Sequence, residues 1–523
     1  MKNYIQLILI VIIQLSINDS LMSQDDFLKF DTIHDYKNWG WDALVMKNKY
    51  IIVAVVPSMG GNILQYDFGV DTFLLLEPHT FGQSYDAKAS PFDNSWGFGG
   101  LETWPTPEAW PPSPFLTYRL FQYTTECSNT DSVIIFLKSE KESTTFPGIQ
   151  FERRISVFKN STRVKIENTI INQNNFDVNY GIMNVNYVSP AHLNENDYNN
   201  FSINFPVNKQ SKYKDSVYYN PKSKSFLGQI VPGIYSIEFN PSQGKIYADV
   251  KDGWASFTDK KDNQAYFKVF DVFENETYPD NGARFEVYIQ ASGPAFMAME
   301  VISPSKKLIA NGGSYTFDDN LYSSQSLQST VLKANHAGAT FERLKYDSIS
   351  TILKGSFSVF NNGNIKIMIY DSNYTLLQKI DSFKVYPDTI IGIKEEIALP
   401  SNTNRIEVQT FNPANEMIGV LDYIDYSEKV SPENVISVSD EEPIKFMISN
   451  RQIQYNLKIR KAGFISIILC DVMGRQTENI FSGFLNIGEY SMNYKLKSTY
   501  AGIYLLVYSY QGKIITRKII LSD

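Results

Sequence analysis

Asn281-Gly282-Ala283-Arg284-Phe285-Glu286-Val287-Tyr288-Ile289 opens on a turn dipeptide and then alternates apolar with polar side chains. Asn-Gly tolerates the positive φ of a tight turn, and a period of two places successive side chains on opposite faces of an extended strand. The same grammar recurs outward from this stretch. Tyr50-Ile51-Ile52-Val53-Ala54-Val55-Val56, Ser132-Val133-Ile134-Ile135-Phe136-Leu137 and Arg163-Val164-Lys165-Ile166-Glu167 are alternating or short apolar runs. Gly60-Gly61, Asp252-Gly253 and Gly312-Gly313 supply further turn signals. No sustained amphipathic helical pattern interrupts them, so the chain is read as all-β. Its aromatic content of 14%, carried by Tyr and Phe, suits pleated strands.

Composition removes several function classes. The net charge of -8 is spread along the chain with no basic block, which argues against nucleic acid as a partner. Two cysteines, Cys127 and Cys470, fall in different blocks and support neither a disulfide framework nor a Cys-rich metal site. There is no Gly-rich phosphate loop, no His-Glu-x-x-His and no Gly-x-Ser-x-Gly, and Asp318-Asp319 lacks the spacing of a calcium loop. No metal and no cofactor is expected.

A chain of 523 residues is long enough for two to four domains. Residues 1–23 combine Lys2, an apolar run from Tyr4 to Leu15 and a polar end, the pattern of a signal peptide. The cleavage site is weakly marked, because Ser20-Leu21-Met22-Ser23 lacks Ala-x-Ala, and no Cys follows for lipid attachment. No later run is apolar for long enough to span a bilayer. The expectation is an exported protein with no transmembrane segment after signal removal. A first block then runs over 24–320. A second, 321–426, carries Gly355–Phe360, Ile365–Tyr370 and Arg405–Gln409 and suits an immunoglobulin-like or jelly-roll sandwich. Residues 427–442, charged and bearing Pro432, read as a linker, and 443–523 form a third block.

The third block contains Phe464–Arg475, a strand ending in Asp471-Val472-Met473-Gly474, followed by Gly488, by Ala501-Gly502-Ile503-Tyr504 and by Lys513–Leu521 with its basic residues. It resembles the type A C-terminal sorting domain of the type IX secretion system. The resemblance implies a small sandwich recognised by that machinery, a Bacteroidota source, passage across both membranes and usually removal of the tag. The implied location is secreted or outer-membrane surface.

In the first block three stretches stand out: Val56-Pro57-Ser58-Met59-Gly60-Gly61-Asn62-Ile63, the pair Phe151–Val157 and Val164–Asn172, and Phe296–Pro304 leading to Gly312-Gly313. Together they resemble the galactose-mutarotase-like supersandwich, a large antiparallel β fold. That resemblance implies a general base from a late Glu, where Glu300 stands, and His residues as acid and ligand. The His motifs are absent. Asp93–Trp104 and Gly181–Tyr187 occupy their places without His, and Asn62 stands where the family has Arg. His34, His79, His192 and His336 are scattered, and His79 in Leu76-Glu77-Pro78-His79 is the one retained as a candidate.

Trp96 to Pro114 holds Trp96, Trp104 and Trp110 among several Gly and Pro residues. Proline lacks the amide donor of a central strand, so a long stiff loop is expected here. Its Gly99-Gly100 to Glu108 portion resembles a pattern of uncharacterised bacterial supersandwich proteins. Indole faces beside Glu102 and Glu108 suit sugar rings, although the same aromatics could plug the end of a sandwich. Trp39 and Trp41 could join this surface or pack in the core, and of Arg153 and Arg154 only one can face the concave side. Three readings follow: a carbohydrate-binding protein; a sugar-active enzyme (epimerase-like, lyase or hydrolase) with Glu300 as base and Glu102 as acid; and a structural adhesion protein. The missing His residues favour binding, and an acid on the closing strand favours catalysis.

Overall fold

The computed structural model describes residues 27–69, 71–83, 99–109, 112–128, 131–189, 200–213, 217–219, 233–239, 244–290, 295–426, 444–449, 452–459, 463–471, 476–485, 488–496, 502–510 and 513–521. The expected signal segment and linker lie outside them. The chain divides into two units, Met1–Ser427 and Glu428–Asp523. Both are built of antiparallel β-sheets, with helix among the described residues reduced to single turns such as Pro114–Thr117. No described helix is long and apolar enough to cross a membrane.

In the first unit a twelve-stranded sheet faces a nine-stranded one. Leu44, Val53, Ile63, Ile182 and Met299 of the larger sheet meet Val133, Ile155, Ile166, Phe257 and Leu321 of the smaller in one hydrophobic core. The two sheets treat their outer faces differently. In Ile149–Phe158 of the smaller sheet, Phe151, Arg153 and Ile155 point inward while Gln150, Glu152 and Arg154 stay partly exposed. That outer face is laced by ion pairs, Lys138 with Glu152 at 2.7 Å and Lys165 with Asp318 at 3.0 Å. The central strands of the larger sheet are buried on both sides: every residue of Leu101–Thr106 and Phe296–Ile302 is buried. Its outer face carries two further apolar clusters, one around Trp39, Trp41, Val45 and Val56, the other around Trp104, Met183, Phe296 and Ile302. A sheet covered on both sides can hold charged groups away from water.

One proline-bearing segment is a strand and not the expected loop. Leu101–Thr106, expected within a loop, is a strand of the twelve-stranded sheet and pairs with Val178–Val188 from Leu101↔Asn186 to Thr106↔Gly181. Its other neighbour, Asn62–Phe68, meets it only at Ile63↔Leu101. Pro105 therefore lies where the strand has a hydrogen-bonding neighbour on one side, the situation of an edge strand, in which a missing N–H is tolerated.

A polar layer threads the core between the sheets. Arg153 Nε donates to Asn168 Oδ1 at 3.1 Å, Asn168 Nδ2 to Asn184 Oδ1 at 2.8 Å, and Asn184 Nδ2 to Asp319 Oδ2 at 3.3 Å. Lys268 Nζ lies 2.8 Å from Asp319 Oδ2, both side chains being fully buried. Burial lowers the Lys268 pKa and raises that of Asp319, so each ion depends on the other to stay charged.

The second sandwich consists of two four-stranded sheets around Phe357, Ile367, Val408 and Leu421. It abuts the first through Trp254, Phe267, Tyr322, Phe341 and Phe360, and the Thr162 amide donates to Phe360 O at 2.9 Å. The strand Gly313–Gln325 pairs within the nine-stranded sheet as far as Gln325, so Leu321–Gln325 complete the first sandwich instead of opening the second. In the second unit, Ile444–Ser449, Gln452–Ile459 and Gly488–Lys495 form one sheet. Gln476–Leu485, Gly463–Asp471, Gly502–Tyr510 and Lys513–Leu521 form the other, with Ile453, Leu457, Ile467 and Leu506 in their shared core.

Removing one partner of a buried ion pair strands the other. Lys268→Met is expected to destabilise the first unit by about 3–5 kcal/mol, and Lys268→Met with Asp319→Leu to regain most of it. Urea titrations of the single and double variants measure this; additive losses would show that the two charges are not coupled.

Candidate functional site

The hairpin of Phe285–Gln290 and Phe296–Ile302 sets Glu286 directly opposite Glu300. Residues opposite one another in antiparallel strands point to the same face. Following the register outward gives one row across five strands: Tyr247, Glu286, Glu300, Val185 and Glu102. Phe285, Val287, Met299 and Val301 point the other way, into the core between the sheets. The row therefore lies on the outer face of the twelve-stranded sheet. A parallel row beside it runs Lys245, Tyr288, Ala298 and Tyr187. Tyr187, Tyr247 and Tyr288 are half-buried and gather around Phe296, with ring centroids of Tyr187 and Phe296 5.2 Å apart.

Lys245 is the hub of the charges. Its Nζ lies 2.7 Å from Glu286 Oε2, 2.8 Å from Glu300 Oε2 and 2.8 Å from Glu108 Oε2. Exposure grades across the trio, with the Glu286 side chain at 0%, Glu300 at 7% and Glu108 at 29%. Burial opposes the Lys245 ammonium, but Glu300, Glu286 and Glu108 outweigh it and raise its pKa well above the ordinary lysine value. Burial pushes the Glu286 carboxyl well above its usual range; Lys245 pulls back, while Glu300 and Asp280 add to the rise. Glu300 is also raised by burial, with Lys245 and a hydrogen bond from Glu286 drawing it down. Burial thus pushes both carboxyls up while Lys245 opposes it, and the two titrate as one unit.

Glu102 is fully buried and is met on Oε2 by Trp104 Nε1 at 3.0 Å, Tyr118 Oη at 3.3 Å and Tyr187 Oη at 3.4 Å. Burial and the Glu102 charge hold the Tyr118 and Tyr187 phenols far above their ordinary pKa. Glu102 and Glu300 are separated by one strand, which sets their backbones roughly 10 Å apart.

The residues anticipated from sequence fall into five groups. Glu300, Glu102 and Trp104 share the outer face, with the Trp104 N–H engaged by Glu102. Trp39 and Trp41 are core side chains: Trp39 packs against Tyr36 and Phe81, and Trp41 Nε1 donates to Gln83 O at 2.8 Å. Arg153, expected against a sugar, points between the sheets because it occupies an inward position of its strand. There it donates to Gly61 O at 2.8 Å and to Gly60 O at 3.3 Å, tying down the turn before Asn62. Burial lowers its pKa to about 9. His79 lies in an exposed turn with Nδ1 3.2 Å from Glu77 Oε2. Trp96 and Trp110 lie outside the described residues.

Sequence reasoning passed over Glu286, Lys245 and Tyr247. Each occupies the polar position of an alternating strand, where a solvated side chain is the ordinary expectation. One signal was available: Ser292-Gly293-Pro294 carries turn residues in sequence, and the strands before and after it pair Glu286 with Glu300.

No protein-family model matches the sequence, and no curated protein matches it. Solved structures similar in part include a Synechocystis protein with 12% identity, covering 54% of this chain and 96% of its own, at a TM-score of 0.38. A galactose mutarotase-like protein from Clostridium acetobutylicum shows 11% identity, covering 57% of this chain and 98% of its own, at 0.37. A protein described as a putative aldose 1-epimerase from Escherichia coli shows 11% identity over 57% of this chain and 99% of its own, at 0.35. Likenesses of this degree assign neither a family nor a chemistry to the chain.

Lys245→Met would leave the glutamates without a counter-ion and push their folded-state pKa values further up. A carboxyl raised in the folded state stabilises below its unfolded pKa near 4.5 and loses that contribution as pH rises through the folded value. The loss of thermal midpoint in Lys245→Met is therefore expected to be larger at pH 8 than at pH 5. Melting curves across that range check it; a pH-independent loss would mean that the carboxylates do not act together.

Proposed function

We propose that the first unit binds carbohydrate on the outer face of its twelve-stranded sheet. The protein is secreted or held at the outer-membrane surface, and its second unit is an address read by a type IX secretion machinery. The observation that carries the binding reading is the row Tyr247, Glu286, Glu300 and Glu102 with Tyr187 and Tyr288 beside it. Carboxylates accept hydroxyl hydrogen bonds, and half-buried phenol rings offer apolar faces to the C–H side of a sugar ring. Glu108 and Lys245 stand at the more open edge of the cluster, so a ligand meets charge there first.

Binding is favoured over turnover by the state of the acids. The Glu300 carboxylate is engaged by Lys245 at 2.8 Å, which occupies a lone pair that a general base needs. Three donors converge on Glu102 Oε2, an arrangement suited to an acceptor more than to a proton-donating acid. A sugar-active enzyme is the second reading, favoured by one feature: Glu286 and Glu300 stand opposite one another as a buried pair of carboxyls, both raised in pKa.

Glycan-array binding by the purified protein, followed by NMR of anomeric exchange for each hit, separates these readings. A hit without exchange is expected. Tyr247→Ala and Glu108→Gln should each weaken it by about tenfold, equivalent to about 1.4 kcal/mol. Should exchange outrun buffer, Glu300→Gln must abolish it while leaving affinity within about tenfold. The absence of any hit would favour the adhesion reading.

The address reading rests on the seven-stranded C-terminal unit among the described residues and on the Gly502-Ile503-Tyr504 and Lys513–Leu521 strands. Residues 428–523 fused to a periplasmic reporter should carry it to the surface of a bacterium with a type IX system. Reporter that stays in the periplasm would refute the assignment.

A further inference from the structure

The nine-stranded sheet and the second sandwich do not close on each other completely. Between them lies a cleft of about 890 Å³, within the size of small-ligand sites. Trp254 and Val269 line it from the first sandwich, and Lys333, Arg343 and Tyr423 from the second. Lys209 and Lys251 stand at its margin, with Asp252 and Asp271 the acids on the lining. Four cations against two carboxylates make this cleft basic in a protein whose net charge is -8.

The cations are differently committed. Arg343 is engaged by Asp422 at 2.8 Å. Lys209, Lys251 and Lys333 have no ion-pair partner among the described residues. Lys333 is the informative one. It is half-buried, its Nζ sits 5.4 Å from the centroid of the Tyr423 ring, and burial lowers its pKa. The same ring is held by Arg405, whose Cζ lies 3.9 Å from the centroid and which is itself paired with Glu407 and Asp425 at 2.6 Å. Asp422 and Asp252 act on this ammonium from a distance without an ion-pair contact, and burial outweighs them; a half-buried ammonium beside an aromatic ring is stabilised when an anion completes the site.

We propose that this cleft is a second ligand site and takes an acidic oligosaccharide, bearing uronate carboxylates or sulfate esters. The anionic group sits at Lys333 with Lys251 and Lys209 around it, and a sugar ring lies along Tyr423. That the ligand is a saccharide rests on the function proposed above; that it is an anion rests on the cleft alone. The two sites divide the task by charge, because the glutamate row repels the anionic groups that the cleft attracts.

Calorimetric titration of the full chain with an oligouronate, a sulfated oligosaccharide and a neutral oligosaccharide of equal length tests this. Binding of at least one acidic ligand is expected, weakening as salt rises from about 50 to about 200 mM, with the neutral control silent at the cleft. The uronate and sulfate arms identify which anion the cleft takes. Lys333→Met combined with Lys251→Met should lower acidic-ligand affinity by about tenfold or more. Tyr247→Ala on the other face should leave that affinity unchanged. A thermal midpoint for Lys333→Met at or above that of the parent chain excludes unfolding as the cause. Failure of both acidic ligands to bind, or binding unchanged in the double lysine variant, overturns the site. Loss of neutral-glycan binding alone in Tyr247→Ala speaks to the glutamate row, so the two proposals fail separately.

Discussion

The register between Phe285–Gln290 and Phe296–Ile302 is the constraint on which the rest depends. Side chains alternate with a period of two, so a slip of one residue would carry Glu286 and Glu300 into the hydrophobic core and expose Val287, Met299 and Val301. Burial on that inner side makes the slip costly, at roughly 1.5–3 kcal/mol for each large apolar side chain brought into water. The same register fixes the neighbours on either side. Once Glu300 stands opposite Val185, Glu102 falls into the row, and once Glu286 stands opposite Tyr247, Lys245 is close enough to reach Glu286 and Glu300. The glutamate row is thus a by-product of packing on the other face of the sheet.

Three lysines of the first unit show how the number of acidic partners governs a buried ammonium. Lys245 has three glutamates within 2.8 Å, and their pull overcomes burial and raises its pKa. Lys268 has one, Asp319, and burial prevails. Lys333 has none in ion-pair contact and is lowered as well. The first arrangement holds Glu286 and Glu300 buried on the outer side of the sheet, with Glu108 the most exposed of the three acids. The second is sealed within the core, where it orders Asn184 and Asn186 between the sheets. The third leaves positive charge facing a cleft.

Much of the architecture was legible because it depends on local pattern. Alternation in Ile149–Phe158 and Val164–Asn172 marks strands with one face inward. The edge of the first block was misplaced by the five residues Leu321–Gln325, since an alternating strand does not announce which sandwich it serves. Pro105 misled for a related reason. A proline is incompatible with two hydrogen-bonding neighbours, and only the tertiary pairing shows that Leu101–Thr106 has one along most of its length.

The site was legible only in fragments. Glu300 and Glu102 could be singled out because a resemblance and a cluster of Trp, Gly and Pro drew attention to them. Arg153 looked equivalent to Arg154, and the choice between core and surface was made by which of the two fell opposite Asn168, the inward position of the next strand. By itself, the sequence determined that the chain is β throughout and which positions alternate, because strand period and turn chemistry are encoded within a few residues. Tertiary structure alone decided that Lys245, Glu286, Glu300 and Glu108 meet, because Coulomb contacts and shared protons need groups within a few ångströms, and strands far apart in the chain reach that distance only after pairing.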